Sequence, residues 1–250
     1  MIITIDGPAG TGKSTVAQTV ADVLGFDFLD TGAMYRAIGF EVLRRNAPLD
    51  NPREVAFIAA HCRIEFDYAT KPPGVILNDQ PVGHFLRAKD ISSAASFVAV
   101  VPKVRDLMVH QQQAIGRARP NIVTEGRDQG TVVFPEARLK FFLTASADER
   151  AHRRARQLSA RGENVEYAEI LKDIVARDYR DTHRAVGPLR PSDDAIKIDT
   201  THLSLQEVAR QIIAQARDLK NLYNELNQQP DPSIPDPDAS AHQNSSELRA

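Results

Sequence analysis

Residues 2–15 constrain this chain more than any other stretch. Ile2-Ile3-Thr4-Ile5 is a short β-branched run, and Gly7-Pro8-Ala9-Gly10-Thr11-Gly12-Lys13-Ser14 follows at once. That stretch matches G-x-x-x-x-G-K-[ST], the phosphate-binding loop. Behind it Val16, Ala17, Val20 and Leu24 recur on one face of a predicted helix, with Gly25 as its stop. Glycines let successive backbone N–H groups curl around a phosphate, and the helix N-terminus adds partial positive charge. Gly7, Pro8, Ala9, Gly10, Thr11, Gly12, Lys13, Ser14 and Thr15 therefore form a predicted nucleoside triphosphate site. Lys13, expected to be exposed in the loop, reaches the β- and γ-phosphates, and the Ser14 hydroxyl ligates Mg²⁺.

The rest of the chain alternates strand and helix signals. Phe26-Asp27-Phe28-Leu29 reads as a second strand, and Asp30-Thr31 as the cap of a helix through about Arg45. Asn51-Pro52-Arg53-Glu54 is a capping box with proline at the first helical position. Between about 63 and 82 the period shifts toward two, with turns at 71–74 and at Asn78-Asp79, which predicts a small antiparallel insert. Helices are expected near 88–99 and 103–115. Further strands are expected at 122–124, 140–143 and 195–198, the last two separated by a long charged helical stretch. Ser204-Leu205-Gln206-Glu207 is a second capping box, and Leu205, Val208, Ile212, Ala216 and Leu219 line one face of the closing helix. Alternating strands and helices imply a parallel, doubly wound α/β sheet. From residue 228 the composition turns to Pro, Asp, Ser and Asn, with four prolines between Pro230 and Pro237, so 228–250 is expected to be a disordered tail behind a single domain of 1–227.

A phosphate loop alone does not name a reaction; a second anion site would. Arg36 follows the second strand and Arg127 the third, so both project at the end of the sheet where the loop lies. Arg150, Arg153, Arg154 and Arg156 fall within two helical turns, and Arg177, Arg180 and Arg184 recur beside Asp178 and Asp181. One arginine is a solvated helix face; this many converging are better read as phosphate ligands. Transfer between two phosphates needs fixed cations, because catalysis there is mostly positioning and electrostatics.

With these residues on the page, the chain resembles bacterial cytidylate kinases. The resemblance rests on the Gly-Pro lead-in of the loop, Leu-Asp-Thr-Gly-Ala-Met-Tyr-Arg at 29–36, Glu-Gly-Arg-Asp-Gln-Gly-Thr-Val-Val-Phe-Pro at 125–135, Glu-Arg-Ala-His-Arg-Arg at 149–154 and Arg-Asp-Tyr-Arg-Asp at 177–181. It runs to about residue 220. It implies a P-loop nucleoside-monophosphate-kinase fold: a five-stranded parallel sheet flanked by helices, a small β insert at 63–82, and a helical, arginine-rich lid at about 150–162. It implies ATP and Mg²⁺ as cofactors and CMP or dCMP as phosphoryl acceptor, so that Lys13 and the arginines support direct in-line transfer and no general base is needed. By motif position, Thr31, Arg36, Arg127 and Arg184 would hold the acceptor phosphate region. Ser96, Arg105 and Asp128 would read the cytosine, and Arg177 and Asp181 would sit near sugar and phosphate. Arg153 and Arg154, with Arg156 less firmly placed, would close on the transferring group. Asp128 either accepts from the cytosine amino group or pairs with a neighbouring arginine. Asp30 and Asp6 either orient the magnesium waters or serve as helix cap and strand-end turn. His61, His110 and His183 are read as surface or core residues without a chemical role.

Other classes fit less well. A GTPase would carry N-K-x-D, which is absent, and the one D-x-x-G, Asp22 to Gly25, ends the loop helix. A metabolite kinase, acting on shikimate for example, has less use for the insert and the arginines. A non-catalytic nucleotide sensor would need Lys13 and not Arg127. A net charge of −2 gives no general attraction to nucleic acid or anionic membrane. The single cysteine, Cys62, excludes an internal disulfide, and no stretch approaches a membrane span. The default expectation is a monomeric cytoplasmic protein.

Overall fold

The structure, a computed structural model, describes residues 1–163 and 165–228. Its core is a parallel sheet of five strands in the order β2-β6-β1-β7-β8. The central strand is β1 (Ile2–Asp6), between β6 (Ile122–Gly126) and β7 (Leu139–Thr144), with β2 (Asp27–Asp30) and β8 (Ile196–Asp199) at the edges. Ile3 pairs in register with Val123 and Leu139, and Ile5 with Glu125 and Phe141. Both faces of β1 are covered by helices, which is why it reads as a nearly unbroken apolar run instead of an alternating one.

All five strands run the same way, so their carboxyl ends share one edge. The phosphate loop leaves β1 there and enters α1 (Lys13–Leu24), which ends on Gly25 at φ 68. Asp30 caps α2 (Thr31–Arg44), its Oδ1 accepting from the Ala33 amide at 2.8 Å. Asn51 caps α3 (Pro52–Ala60) through the expected box with Glu54. The insert is a three-stranded antiparallel sheet of β3 (Ile64–Asp67), β4 (Gly74–Leu77) and β5 (Gln80–Pro81). Its second hairpin turns on Asn78 and Asp79, both at positive φ, the conformation a tight primed turn requires. Then come α4 (Lys89–Val98) and α5 (Pro102–Ala118). The charged stretch resolves into α6 (Ala147–Ser159) and α7 (Tyr167–His183), and α8 (Leu205–Gln228) follows β8.

Contacts divide the chain into one compact unit, Met1–Ile213, and a second that begins at Ala214. Within its described residues the second unit is the helical continuation of α8 to Gln228. Of the expected tail, residues 229–250 lie outside the described residues. Among the described residues no helix is long and apolar enough to cross a membrane.

Three local features depart from what the residue pattern conveys. After β6 the chain forms a π-helical turn, Gln129–Val133, which no periodicity announced. It is held from the strand end: Asp6, buried, accepts from the Gln129 and Gly130 amides at 2.9 and 2.8 Å. Leu205, expected on the buried face of its helix, is 41% exposed. Its methyl lies where a Cβ on Gly12 would stand, 2.4 Å away, so it packs against the phosphate loop instead. The α6–α7 pair has its own small core of Ala151, Leu158, Ile170 and Ile174, which the charge of the stretch did not announce.

Candidate functional site

A cleft of about 1370 Å³ opens at the carboxyl edge of the sheet. At one end it is lined by Ala9, Gly10, Gly12, Lys13, Ser14 and Thr15. Gly12 sits at φ 88 as the N-terminal cap of α1, a left-handed conformation that a side chain would strain. Lys13 is not exposed as expected. Its side chain is buried, and Nζ donates to the Pro8 carbonyl at 2.8 Å. Burial, then the nearby Arg127 charge, push its ammonium pKa down to about 7. Ser14 donates from Oγ to Glu125 Oε1 at 2.8 Å. Burial raises the Glu125 carboxyl above the ordinary carboxylate range, with the charge of Asp30 adding to it.

Arg150 braces the loop from outside. Its guanidinium donates to the Ala9 carbonyl at 3.2 Å, to the Ala145 carbonyl at 3.0 Å and to Asp178 Oδ2 at 2.7 Å. The residue is 4% exposed and is not among those lining the cleft. Spacing groups it with the other arginines of α6; geometry makes it a strut between phosphate loop and α7.

The middle of the cleft is crowded with cations. Arg36 donates to Asp30 Oδ2 at 2.8 Å, and Arg127 donates from Nε to Asp181 Oδ2 at 2.7 Å. Burial would raise the Asp181 carboxyl, yet Arg127 and Arg177 together hold it below the usual range. The pKa of Arg177 is pushed down to about 10, first by burial and then by the charge of Arg127, and its Nε has no hydrogen-bond partner. Thr31 donates to the Glu125 carbonyl at 2.7 Å, which fixes the start of α2 to the end of β6. Lys13, Arg36, Arg127 and Arg177 line this stretch with more positive charge than Asp181 and Asp30 neutralise.

At the far end Arg105, 1% exposed, is ion-paired with Asp128 Oδ2 and lies 5.7 Å over the ring of Tyr35. Arg184 Nη2 is 3.5 Å from the other oxygen of Asp128. Gly187, at φ 57, closes over the pair so tightly that a Cβ there would stand 2.3 Å from Asp128 Oδ2. Burial pushes the Tyr35 phenol up to about 12. Ser96, buried on α4, accepts from Arg180 Nε at 3.1 Å.

Arg153, Arg154, Arg156 and Arg161 line the wall formed by α6 and the turn after it. Arg153 is already engaged, donating to Glu149 at 2.9 Å and to Thr200 Oγ1 at 3.1 Å. Arg154 has no such bond among the described residues; burial, then Arg161, lower its pKa. His61, His110 and His183 each bond a carbonyl one turn back on their own helix, and none lines the cleft.

All the predicted acceptor residues thus share one cleft: Thr31, Arg36, Ser96, Arg105, Arg127, Asp128, Arg177, Asp181 and Arg184. Of the acidic pair left open by the sequence, Asp30 lines the cleft as well as capping α2, whereas Asp6 serves the π-helical turn. Sequence reasoning missed the carboxylate of Glu125, although its place at the end of the strand beside β1 was the available signal. Tyr35 was also passed over, and Arg180, named among the converging arginines, was given no place of its own.

A phosphate loop on the central strand of a five-stranded parallel sheet, facing an arginine-rich second site across one cleft, defines a P-loop kinase of the nucleoside-monophosphate-kinase fold. Within that class the family model described as cytidylate kinase matches residues 3–218. A relative named cytidylate kinase from Stutzerimonas stutzeri (strain A1501) is 46% identical over 219 residues, covering 87% of this chain and 95% of that protein. Another of that name from Pseudomonas savastanoi pv. phaseolicola is 45% identical over 216 residues, covering 86% of this chain and 94% of that one. The chain belongs to the cytidylate kinase family.

Proposed function

We propose that this protein transfers the γ-phosphoryl group of ATP to CMP or dCMP, giving ADP and the nucleoside diphosphate. One observation carries the reading beyond family membership: the cleft joins two unlike ends, a backbone cradle around Lys13 and a recess whose polar groups include Asp128, Arg105 and Ser96. Between them lie Arg127 and Arg177, two cations that share the one carboxylate of Asp181 and leave net positive charge where two phosphates would meet. Lys13 moves from the Pro8 carbonyl to the triphosphate, and Arg127, Arg177 and Arg154 neutralise charge on the transferring oxygens. The acceptor phosphate is already a nucleophile, so no residue has to remove a proton.

The cleft also fits a hard cation. Ser14 Oγ, Glu125 and Asp30 offer oxygens beside the cradle, and among the described residues no cluster of three or more His, Cys, Asp or Glu forms a dedicated cage. Ser14 would hold Mg²⁺ directly, with Glu125 and Asp30 orienting its waters, and the ion would supply charge neutralisation to the phosphates. The base end supports cytosine over uracil. A carboxylate only accepts and a guanidinium only donates, which suits the amino group at C4 and the acceptors at N3 and O2.

ADP production from ATP across a panel of nucleoside monophosphates tests the reading. CMP and dCMP should be the best acceptors. A preference for another monophosphate, or hydrolysis without an acceptor, would overturn it.

A further inference from the structure

Arg177, Arg180 and Asp181 of α7, and Arg184 at its C-terminal cap, follow one another at spacings of three, four and seven residues from Arg177 and all line the cleft. Three are accounted for above: Arg177 by the phosphates, Asp181 by Arg127 and Arg184 by Asp128. Arg180 is not. Its Nε donates to Ser96 Oγ at 3.1 Å across the gap between α7 and α4, and its guanidinium lies 5.3 Å over the ring of Phe97.

This bond fixes what Ser96 can do. A hydroxyl carries one proton and two acceptor sites, whereas a guanidinium has only protons to give. Ser96 is therefore the acceptor toward Arg180, and its own proton must point elsewhere. Among the described residues the Ser96 hydroxyl makes no other hydrogen bond, and Ser96 is 4% exposed on the cleft wall. The free proton is directed to the cleft. Without Arg180 the same hydroxyl would rotate, and could as readily accept as donate.

We infer that Arg180 is a positioning residue for the base end, locking Ser96 as an obligate hydrogen-bond donor to an acceptor atom of the pyrimidine. The inference rests on the proposed monophosphate specificity and deepens it. The Phe97 ring holds the guanidinium in place, so the lock needs both the fork of donors and the flat cation, and a lysine would supply neither Nε nor the stacking plane.

The test is a double-mutant cycle in the full chain. Arg180→Met, which keeps the stem over Phe97, should raise the KM for CMP about tenfold, the scale of one well-placed hydrogen bond, with kcat within about twofold and the KM for ATP unchanged. Ser96→Ala should do the same, and the double variant should be no worse than either single one. Arg180→Lys should resemble Arg180→Met. Multiplying penalties in the double variant, an unchanged KM in Arg180→Met, or rescue by lysine would each overturn the inference. CMP binding followed by calorimetry gives the same cycle without turnover, so a variant that binds normally and turns over poorly also counts against it. Parent protein that phosphorylates CMP while the cycle is additive would remove this inference alone. Parent protein that ignores CMP would remove the specificity reading and this inference with it.

Discussion

The two ends of the cleft are built on opposite plans. The triphosphate end is a single run, residues 7–15, whose working groups are backbone amides and one lysine. The base end is gathered from Tyr35 on α2, Ser96 on α4, Arg105 on α5, Asp128 after β6, and Arg184 and Gly187 beyond α7. Charge is also handled differently. Lys13 rests on a neutral carbonyl of its own loop, a cation kept in reserve for an anion. Arg105 and Arg184 already share the one carboxylate of Asp128, so both cations at that end are partnered before anything binds. A local cradle concentrates function in one side chain. An assembled recess spreads it, and a change at any member is felt by the others.

The largest effect should come from the concentrated end. Lys13→Ala should lower kcat by about 10³ or more, since positioned charge carries most of such catalysis. Its melting temperature should stay near that of the parent, because the side chain's one bond is to its own loop. Near-native turnover would break the comparison outright, and with it the kinase assignment.

At the assembled end, Asp128→Ala should lower kcat/KM for CMP by about a hundredfold and for UMP much less, as two mismatched polar contacts would. It also strips the counter-charge from two buried arginines, so unlike the lysine variant it should melt lower. Equal losses with CMP and UMP would show that Asp128 supports the recess without reading the base.

Gly187→Ala tests how far the assembled end extends. The new Cβ would collide with Asp128 Oδ2 at a left-handed φ, so the KM for CMP should rise by about tenfold while that for ATP holds. If both constants rise together, the two ends are not separable.

The smallest effect concerns stability. Asp6→Asn replaces one acceptor with a donor facing an amide, and should destabilise by about 1–3 kcal/mol. Burial pushes the Asp6 carboxyl up to about 7, against the pull of its two amide donors and Lys13. The folded chain then keeps this proton to higher pH than the unfolded chain, so the group's contribution falls as pH rises from about 4 to about 7. Asparagine does not titrate. The stability gap between parent and variant, measured by denaturant melts, should narrow over that window. A gap that widens would mean the two amides keep Asp6 ionised.

How much of this was legible in the sequence follows from the same contrast. The phosphate loop, the caps at Asp30 and Asn51, and the turn at Asn78-Asp79 are local devices, and local residue types announce them. The membership of the base end was legible only through resemblance, because nothing in the spacing of Ser96, Arg105 and Asp128 says that they meet. The π-helical turn after β6 escaped altogether, since the carboxylate that holds it is 123 residues away. Arg150 escaped for a related reason. Three residues before Arg153 on one helix, it looks like another phosphate ligand until its partners Ala9 and Asp178 are seen. The burial of Lys13 was missed because a loop position was equated with exposure.

The face of α7 that carries Arg177, Arg180 and Asp181, continued by Arg184 at its cap, acts as a ruler laid along the cleft, and rulers tolerate repainting better than lengthening. Its outward residues Val175, Tyr179 and Thr182 are exposed and free to vary in kind. One residue inserted between Arg177 and Arg184 is another matter. It would turn every mark beyond it by about 100° and shift it by about 1.5 Å. Depending on the point of insertion, Ser96, Arg127 and Asp128 would lose their partners Arg180, Asp181 and Arg184 while the helix itself remained sound. Over this one heptad, drift in sequence is cheap and drift in length is closed.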